Sequence, residues 1–259
     1  MSLTEIAAIV GALAWIPPIF TAVRTWFTKP QVRVITQPSP EIGYTPFGPI
    51  LNLRVALTVS HKDIVITAIR LQVTHESGEK MIFHWRGIVQ RMGTMTFPSE
   101  LGAVPFEKEL NVLAMKVSLK DVEERFVRFQ NQEFLKRKSD LEVIALKKIS
   151  YLRQESTFDL MPFLRSQEMV DIYSFIRQSF AWKPGVYRLQ VIMESPDAFS
   201  VVDDKYEFVL SPLHVQDLSD NLKKIEQSYM NEYIPRKDGQ EVNPVVWNWV
   251  YPEMQLIEG

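Results

Sequence analysis

From Ile6 to Val23 the chain runs for 18 residues without a charged side chain. At about 1.5 Å of rise per residue, such a run is roughly 27 Å long as a helix, close to the hydrocarbon thickness of a bilayer. Trp15 lies inside it, and Trp26 and Phe27 follow it, where aromatic residues gather at a membrane interface. A secretory leader would start with basic residues, but Glu5 is the only charge before the run, and Ala12-Leu13-Ala14 comes after too short an apolar stretch to be a typical cleavage site. A helix lying on a surface needs a polar face, and only Thr21 and Thr25 supply one. The run therefore reads as a single spanning helix, residues 1–29 forming the anchor, with a kink at Pro17 and Pro18. Arg24, Lys29 and Arg33 all follow it, so the positive-inside rule predicts the N-terminus outside and the body in the cytosol, as a single-pass protein of the inner (cytoplasmic) membrane. Ala7 with Gly11, and Ala8 with Ala12, place small residues one turn apart. That spacing lets helices approach closely and predicts association between copies within the bilayer.

Beyond Lys29 the period changes from helical to alternating. Gln31–Gln37, then Leu51, Leu53, Val55, Leu57 and Val59, read as strands. Ile64–Thr74 continues the alternation with a phase slip near Ala68, which suggests a bulge. Ser77-Gly78 predicts a hairpin turn whose return strand is Lys80–Arg86, and Lys183–Met193 and Lys205–Leu210 predict two later strands. Short strands separated by turn signals predict an immunoglobulin-like antiparallel β-sandwich spanning residues 30–213. Into it a helical insertion is placed at about residues 117–182. Phe126, Phe129, Leu135, Leu141 and Ile144 fall at irregular helical spacing, and Ser139-Asp140 is a candidate cap for a second segment. A cleaner helix follows from Ser166 to Trp182, with Met169, Ile172, Tyr173 and Ile176 on one face. Residues 214–259 form the C-terminal part, with a helix from about Val215 to Tyr229 and an aromatic tail in which Trp247, Trp249 and Tyr251 alternate as on a strand. The fold class is thus mainly β with an α insertion.

The absence of cysteine excludes disulfides, thiol catalysis, iron–sulfur clusters and the common structural zinc sites. Histidines stand at 61, 75, 84 and 214. His75 and His84 share the predicted hairpin with Glu76 and Glu79, but no metal-ligand motif is present, and no metal or cofactor is expected. There is no Gly-x-Ser-x-Gly, no P-loop and no Gly-x-Gly-x-x-Gly, so no catalytic residue is assigned and the chain is not expected to be an enzyme. Asp203-Asp204 reads as a solvated loop pair.

The formal net charge of −2 excludes the strongly basic balance of a dedicated nucleic-acid binder, yet it hides an asymmetry. Residues 1–193 carry 24 Lys+Arg and 18 Asp+Glu, whereas residues 194–259 carry 5 and 13. Lys136, Arg137, Lys138, Lys147, Lys148 and Arg153 concentrate positive charge within the insertion. They predict a site for an anionic ligand (a nucleotide, an oligonucleotide or an acidic lipid headgroup), set against a plain solvated face paired with Glu133, Asp140 and Glu142. In organisation the chain resembles small bacterial antiphage effectors, in which membrane helices precede a cytosolic ligand-sensing domain. That resemblance implies a homo-oligomeric assembly that permeabilises the membrane or conducts ions under control of the anionic ligand. A membrane-tethered scaffold that recruits a protein partner through its sandwich is the alternative, and an enzyme of unrecognised type is a third reading.

Overall fold

Neighbouring strands bury alternate residues in phase, and that agreement builds the body. The computed structural model describes residues 14–18, 28–96, 103–110, 113–154, 160–233 and 244–257. Strands β1 (Gln31–Thr36), β2 (Glu41–Thr45), β3 (Gly48–Ser60), β4 (Ile64–Ile66), β5 (Ala68–His75), β6 (Lys80–Thr96), β7 (Ala103–Leu110), β8 (Met115–Val117) and β9 (Glu123–Gln130) come first. Helices α1 (Gln132–Leu152), α2 (Leu160–Leu164) and α3 (Gln167–Gln178) follow. After them come β10 (Gly185–Glu194), β11 (Ser200–Val202), β12 (Lys205–Leu210), α4 (Pro212–Asp220), a 3-10 turn, α5 (Ile225–Tyr233), β13 (Trp249–Val250) and β14 (Met254–Leu256).

The described strands form one sheet of twelve, in the order β11-β1-β3-β9-β6-β5-β10-β12-β14, with β2 and β13 branching from β3 and β7 from β6; β4 and β8 form a separate ribbon. Val32 and Val34 on β1, Leu51 to Leu57 at odd positions on β3, Leu71 and Val73 on β5, and Leu189 and Val191 on β10 are all buried. The Tyr206 hydroxyl of β12 donates to the Val34 carbonyl of β1 at 3.1 Å. Those strands are far apart along the hydrogen-bonded path, so the sheet folds back on itself and its two halves face each other across the core.

The mainly β body with helical insertions is what the structure shows. An immunoglobulin-like sandwich has two separate sheets, whereas here the halves are joined. The joint is the long β6, which pairs β5 through Lys80–His84, β9 through His84–Val89 and β7 beyond Ile88, with a register shift between Trp85 and Gly87. A bulge lets one strand turn such a corner.

Several expectations need correction. The helical insertion does not begin near residue 117. Glu123–Gln130 is a strand inside the sheet, because Val127 and Phe129 alternate toward the core and β3 and β6 need a partner between them. Helix α1 runs unbroken through Ser139-Asp140, and its cap lies earlier: the Asn131 side chain accepts from Phe134 N at 2.9 Å. The phase slip near Ala68 is a change of partner, since β4 pairs β8 while β5 pairs β6 and β10. The C-terminal helix is divided, with a 3-10 turn at Asn221–Lys224 between α4 and α5. Met169, Ile172, Tyr173 and Ile176 of α3 are all buried on one face, as their spacing indicates.

The helices close one end of the folded sheet. Tyr44 is fully buried and donates to the Ile176 carbonyl, joining β2 to α3. Its ring meets Phe180 edge-on at 5.0 Å. Burial holds the Tyr44 phenol well above the usual tyrosine range, so it serves as a fixed donor. Among the described residues no helix is long and apolar enough to cross a membrane. Most of the run Ile6–Val23, including Ala7, Ala8, Gly11 and Ala12, lies outside them. Pro17 and Pro18 fall within residues 14–18, which are exposed, with Trp15 and Ile16 among the exposed apolar side chains.

Candidate anion-binding cleft

Three local features converge where the helices meet the sheet. The turn from β2 to β3 is closed by Thr45, whose hydroxyl accepts from Phe47 N at 3.1 Å. Gly48 follows with φ +76°, a conformation that L side chains resist. An added Cβ there would meet the Phe134 ring of α1 within 2.7 Å, so the turn and the helix are mutually fitted. This turn leaves Phe47 53% exposed. The β6 bulge places the exposed Arg86 between paired Trp85 and Gly87. Helix α1 supplies the third wall.

Lys138 lies on the buried stripe of α1 with Phe134, Ala145 and Ile149. A lysine on a core face needs a partner, because an unpaired buried charge is strongly disfavoured. Its ammonium pairs with Glu142 at 2.8 Å, sits 4.8 Å from the Phe47 ring centroid and 5.9 Å from that of Tyr229. Glu142 in turn accepts from the Tyr229 hydroxyl of α5 at 2.9 Å. Burial and the adjacent Glu142 carboxylate hold the Tyr229 phenol far above the usual tyrosine range, so it remains a proton donor. Phe47, Lys138, Glu142 and Tyr229 thus form one chain of contacts from β2–β3 through α1 to α5.

A cleft of about 670 Å³ opens beside this chain, lined by Phe47, Arg86, Gln132, Glu133, Leu135, Lys136, Lys138, Ser139 and Glu142. Arg86 and Lys136 are exposed and have no carboxylate partner among the described residues. The cleft combines an exposed aromatic side chain, the exposed cations Arg86 and Lys136, the Lys138–Glu142 pair, the exposed carboxylate of Glu133, and amide and hydroxyl groups. Such a set suits a phosphate-bearing molecule with a planar or apolar part.

The six basic residues proposed from sequence do not form one cluster. Lys136 and Lys138 line the cleft. Arg137 leaves on the other flank, 5.4 Å from the Phe175 ring centroid, and lines a smaller cavity of about 200 Å³. Lys148 is bound to Glu168 at 2.6 Å. Lys147 and Arg153 are exposed farther along α1, roughly 16 Å or more from Lys136 at the rise of a helix. Sequence reasoning missed Phe47 and Arg86. The glycine after Arg86 inside a strand was the one signal of a bulge there.

Other polar residues singled out from sequence have partners within the chain. His75 is buried, with Nδ1 2.7 Å from Ser77 Oγ and Nε2 3.2 Å from the Pro184 carbonyl. Asp203 pairs with Arg33 at 3.0 Å, and Asp204 accepts from Gln190 at 3.0 Å. In the aromatic tail, Trp249 and Val250 pair with β2 of the same chain, and the Trp249 ring lies against Gly43, where a Cβ would collide with it. Among the described residues no group of three or more potential metal ligands is present. No protein-family model, curated protein or solved structure matches this chain.

Proposed function

We propose that this protein is a membrane-anchored, non-enzymatic receptor for an anionic, nucleotide-type ligand, and that ligand binding controls a homo-oligomeric, membrane-permeabilising assembly. The observation that carries the reading is the convergence of Arg86, Lys136 and Lys138 with exposed Phe47 around one cleft. The exposed Phe47 ring, beside the Lys138 ammonium, offers apolar surface to a base, and Arg86 and Lys136 donate to phosphate oxygens without first breaking an ion pair. Lys138 differs, since a phosphate near it competes with Glu142. Weakening that pair alters the acceptor of Tyr229 and so transmits occupancy to α5. Control of this kind requires the ligand to prefer one assembly state over the other. The membrane part rests on the uncharged run Ile6–Val23 and its small-residue spacing.

The test is calorimetric titration of the full chain in detergent with adenosine triphosphate, a short oligonucleotide and pyrophosphate. Arg86→Glu combined with Lys136→Glu removes two charge-assisted contacts, so affinity should fall about a hundredfold or more at about 1.5 kcal/mol or more per contact. Lys147→Glu, outside the cleft, should leave it unchanged. Equal affinity in all three proteins, or no binding by the unsubstituted chain, refutes the proposed site. Ligand-dependent dye release from liposomes tests the assembly step.

A further inference from the structure

The end of the folded sheet opposite the cleft carries exposed apolar side chains and receives the chain from its N-terminal segment. Strand β3 begins at Gly48 beside the cleft and ends at Ser60, which pairs with Gln31, the first residue of β1. The chain thus reaches the body at Lys29 and Pro30, and the Pro30 carbonyl is held by Ser200 N at 3.0 Å. At this same end lies the β4–β8 ribbon. Its inner residues Ile64, Ile66, Met115 and Val117 are buried, while Val65 faces outward. Around it, Leu113 is 91% exposed, Val122 61% and Leu119 48%.

The ribbon is fixed in place. Asp63 pairs with Lys116 at 2.9 Å and accepts from Leu119 N at 2.9 Å. The lysine and that backbone N–H hold the Asp63 carboxyl below the usual carboxylate range. The loop bearing Leu119 is therefore anchored with its apolar side chain displayed, in contrast to the buried inner face of the same ribbon. Lys29, Lys62 and Lys120 lie in the segments beside these residues, as do Asp121 and Asp197 and the arginine-paired Glu123, Glu124 and Glu194.

We infer that this rim seats in the headgroup layer of the bilayer. The inference rests on the reading of Ile6–Val23 as a membrane segment. Only residues 24–30 separate that run from β1, and seven residues span at most about 25 Å when fully extended. A body held on so short a leash, with its chain arriving at this end, presents this end to the membrane. Exposed leucine and valine with flanking lysines are the groups that enter such an interface, the apolar tips among the upper acyl chains and the ammonium groups among phosphates. The cleft then faces away from the membrane, roughly 40 Å from it along β3 at about 3.3 Å per residue, open to ligands in solution.

The chain contains no cysteine, which permits single-site labelling. Leu113→Cys and Val122→Cys report on the rim. Leu213→Cys, also exposed but next to the end of β12 on the cleft side, is the control. Each full-length variant is labelled with a fluorophore and reconstituted into phosphatidylcholine–phosphatidylglycerol vesicles that contain a nitroxide-bearing lipid. Flotation shows whether the chain is membrane-bound. With the chain floating, loss of emission at 113 and 122 and none at 213 supports the seated rim. Floating chain with emission retained at all three positions overturns the rim while leaving the anchor intact. Failure to float overturns both. Emission at 113 and 122 that resists both lipid nitroxide and aqueous iodide means that another copy of the chain covers the rim, and it overturns the lipid assignment.

Discussion

The contact between Lys138 and Glu142 decides how much of the cleft is free for a ligand, and its strength is measurable by a double-substitution cycle. Lys138→Met keeps most of the aliphatic stem, so packing changes little. It removes the ammonium from Glu142 at 2.8 Å and from the Phe47 face at 4.8 Å. The lysine side chain is 8% exposed and the glutamate 27%. A charge-assisted hydrogen bond in such a setting is worth about 1.5–3 kcal/mol, and the ring contact adds about 0.5–1 kcal/mol. Glu142 keeps the Tyr229 hydroxyl and partial access to water, which softens the penalty for its lost partner. Lys138→Met should therefore cost about 2 kcal/mol of stability. Glu142→Gln retains an acceptor for Tyr229, and the cycle with Lys138→Met should give a coupling energy of about 1–2 kcal/mol. Urea unfolding of the full chain in detergent, followed through its six tryptophans, is the assay. A coupling energy below about 0.3 kcal/mol would refute the argument that Lys138 is committed to Glu142, and Lys138 would then count with Arg86 and Lys136 as an open ligand contact.

Two further outcomes follow from the same geometry. Gly48→Ala adds a Cβ at φ +76° against the Phe134 ring; the combined backbone and packing penalties predict a loss of about 2–4 kcal/mol, read as a lower unfolding midpoint. Burial, with the Arg70 guanidinium adding to it, holds His84 below the usual histidine range, while Glu194 opposes the shift. The unfolded chain therefore takes up a proton at this site before the folded one does. Stability from this group is intact above the unfolded pKa and is lost as pH falls through that value toward the lower folded one. Melting temperatures measured from about pH 7.5 down to pH 5 should decline less steeply for His84→Gln than for the unsubstituted chain. An identical slope removes His84 from the account.

Much of the β body was legible because a half-buried strand writes its burial into every second residue. Leu51 through Val59 and Tyr187 through Met193 did so, and the hairpin at Ser77-Gly78 followed from Gly78, which has φ +90°. Strand β9 was missed because Arg125 and Arg128 flank Phe126 and Val127. On a strand in the middle of the sheet that mixture is satisfied by partners on both sides, but in isolation it looks like a charged helix. The corner at β6 depends on one inserted residue, whose effect appears only after β5, β7 and β9 have chosen their edges. The cleft was half legible for a similar reason. Lys136 and Lys138 were visible as a basic run, but Phe47 and Arg86 join them only through the turn and the bulge. Charge counting also treated Lys138 and Lys148 as available when each already has a glutamate.

The pairing of β1 has a mechanical consequence. Gln31–Thr36 lies between β3 on one edge and β11 on the other, bonded to β3 along its full length and to β11 over Gln31–Arg33. A pull on the chain at Pro30, of the kind the proposed membrane anchor would exert, loads β1 along its own axis. Its interstrand bonds are then loaded together in shear, instead of being peeled apart one after another. A body loaded in this way resists being drawn open by a pull on its N-terminal side and moves as a rigid unit when that segment moves.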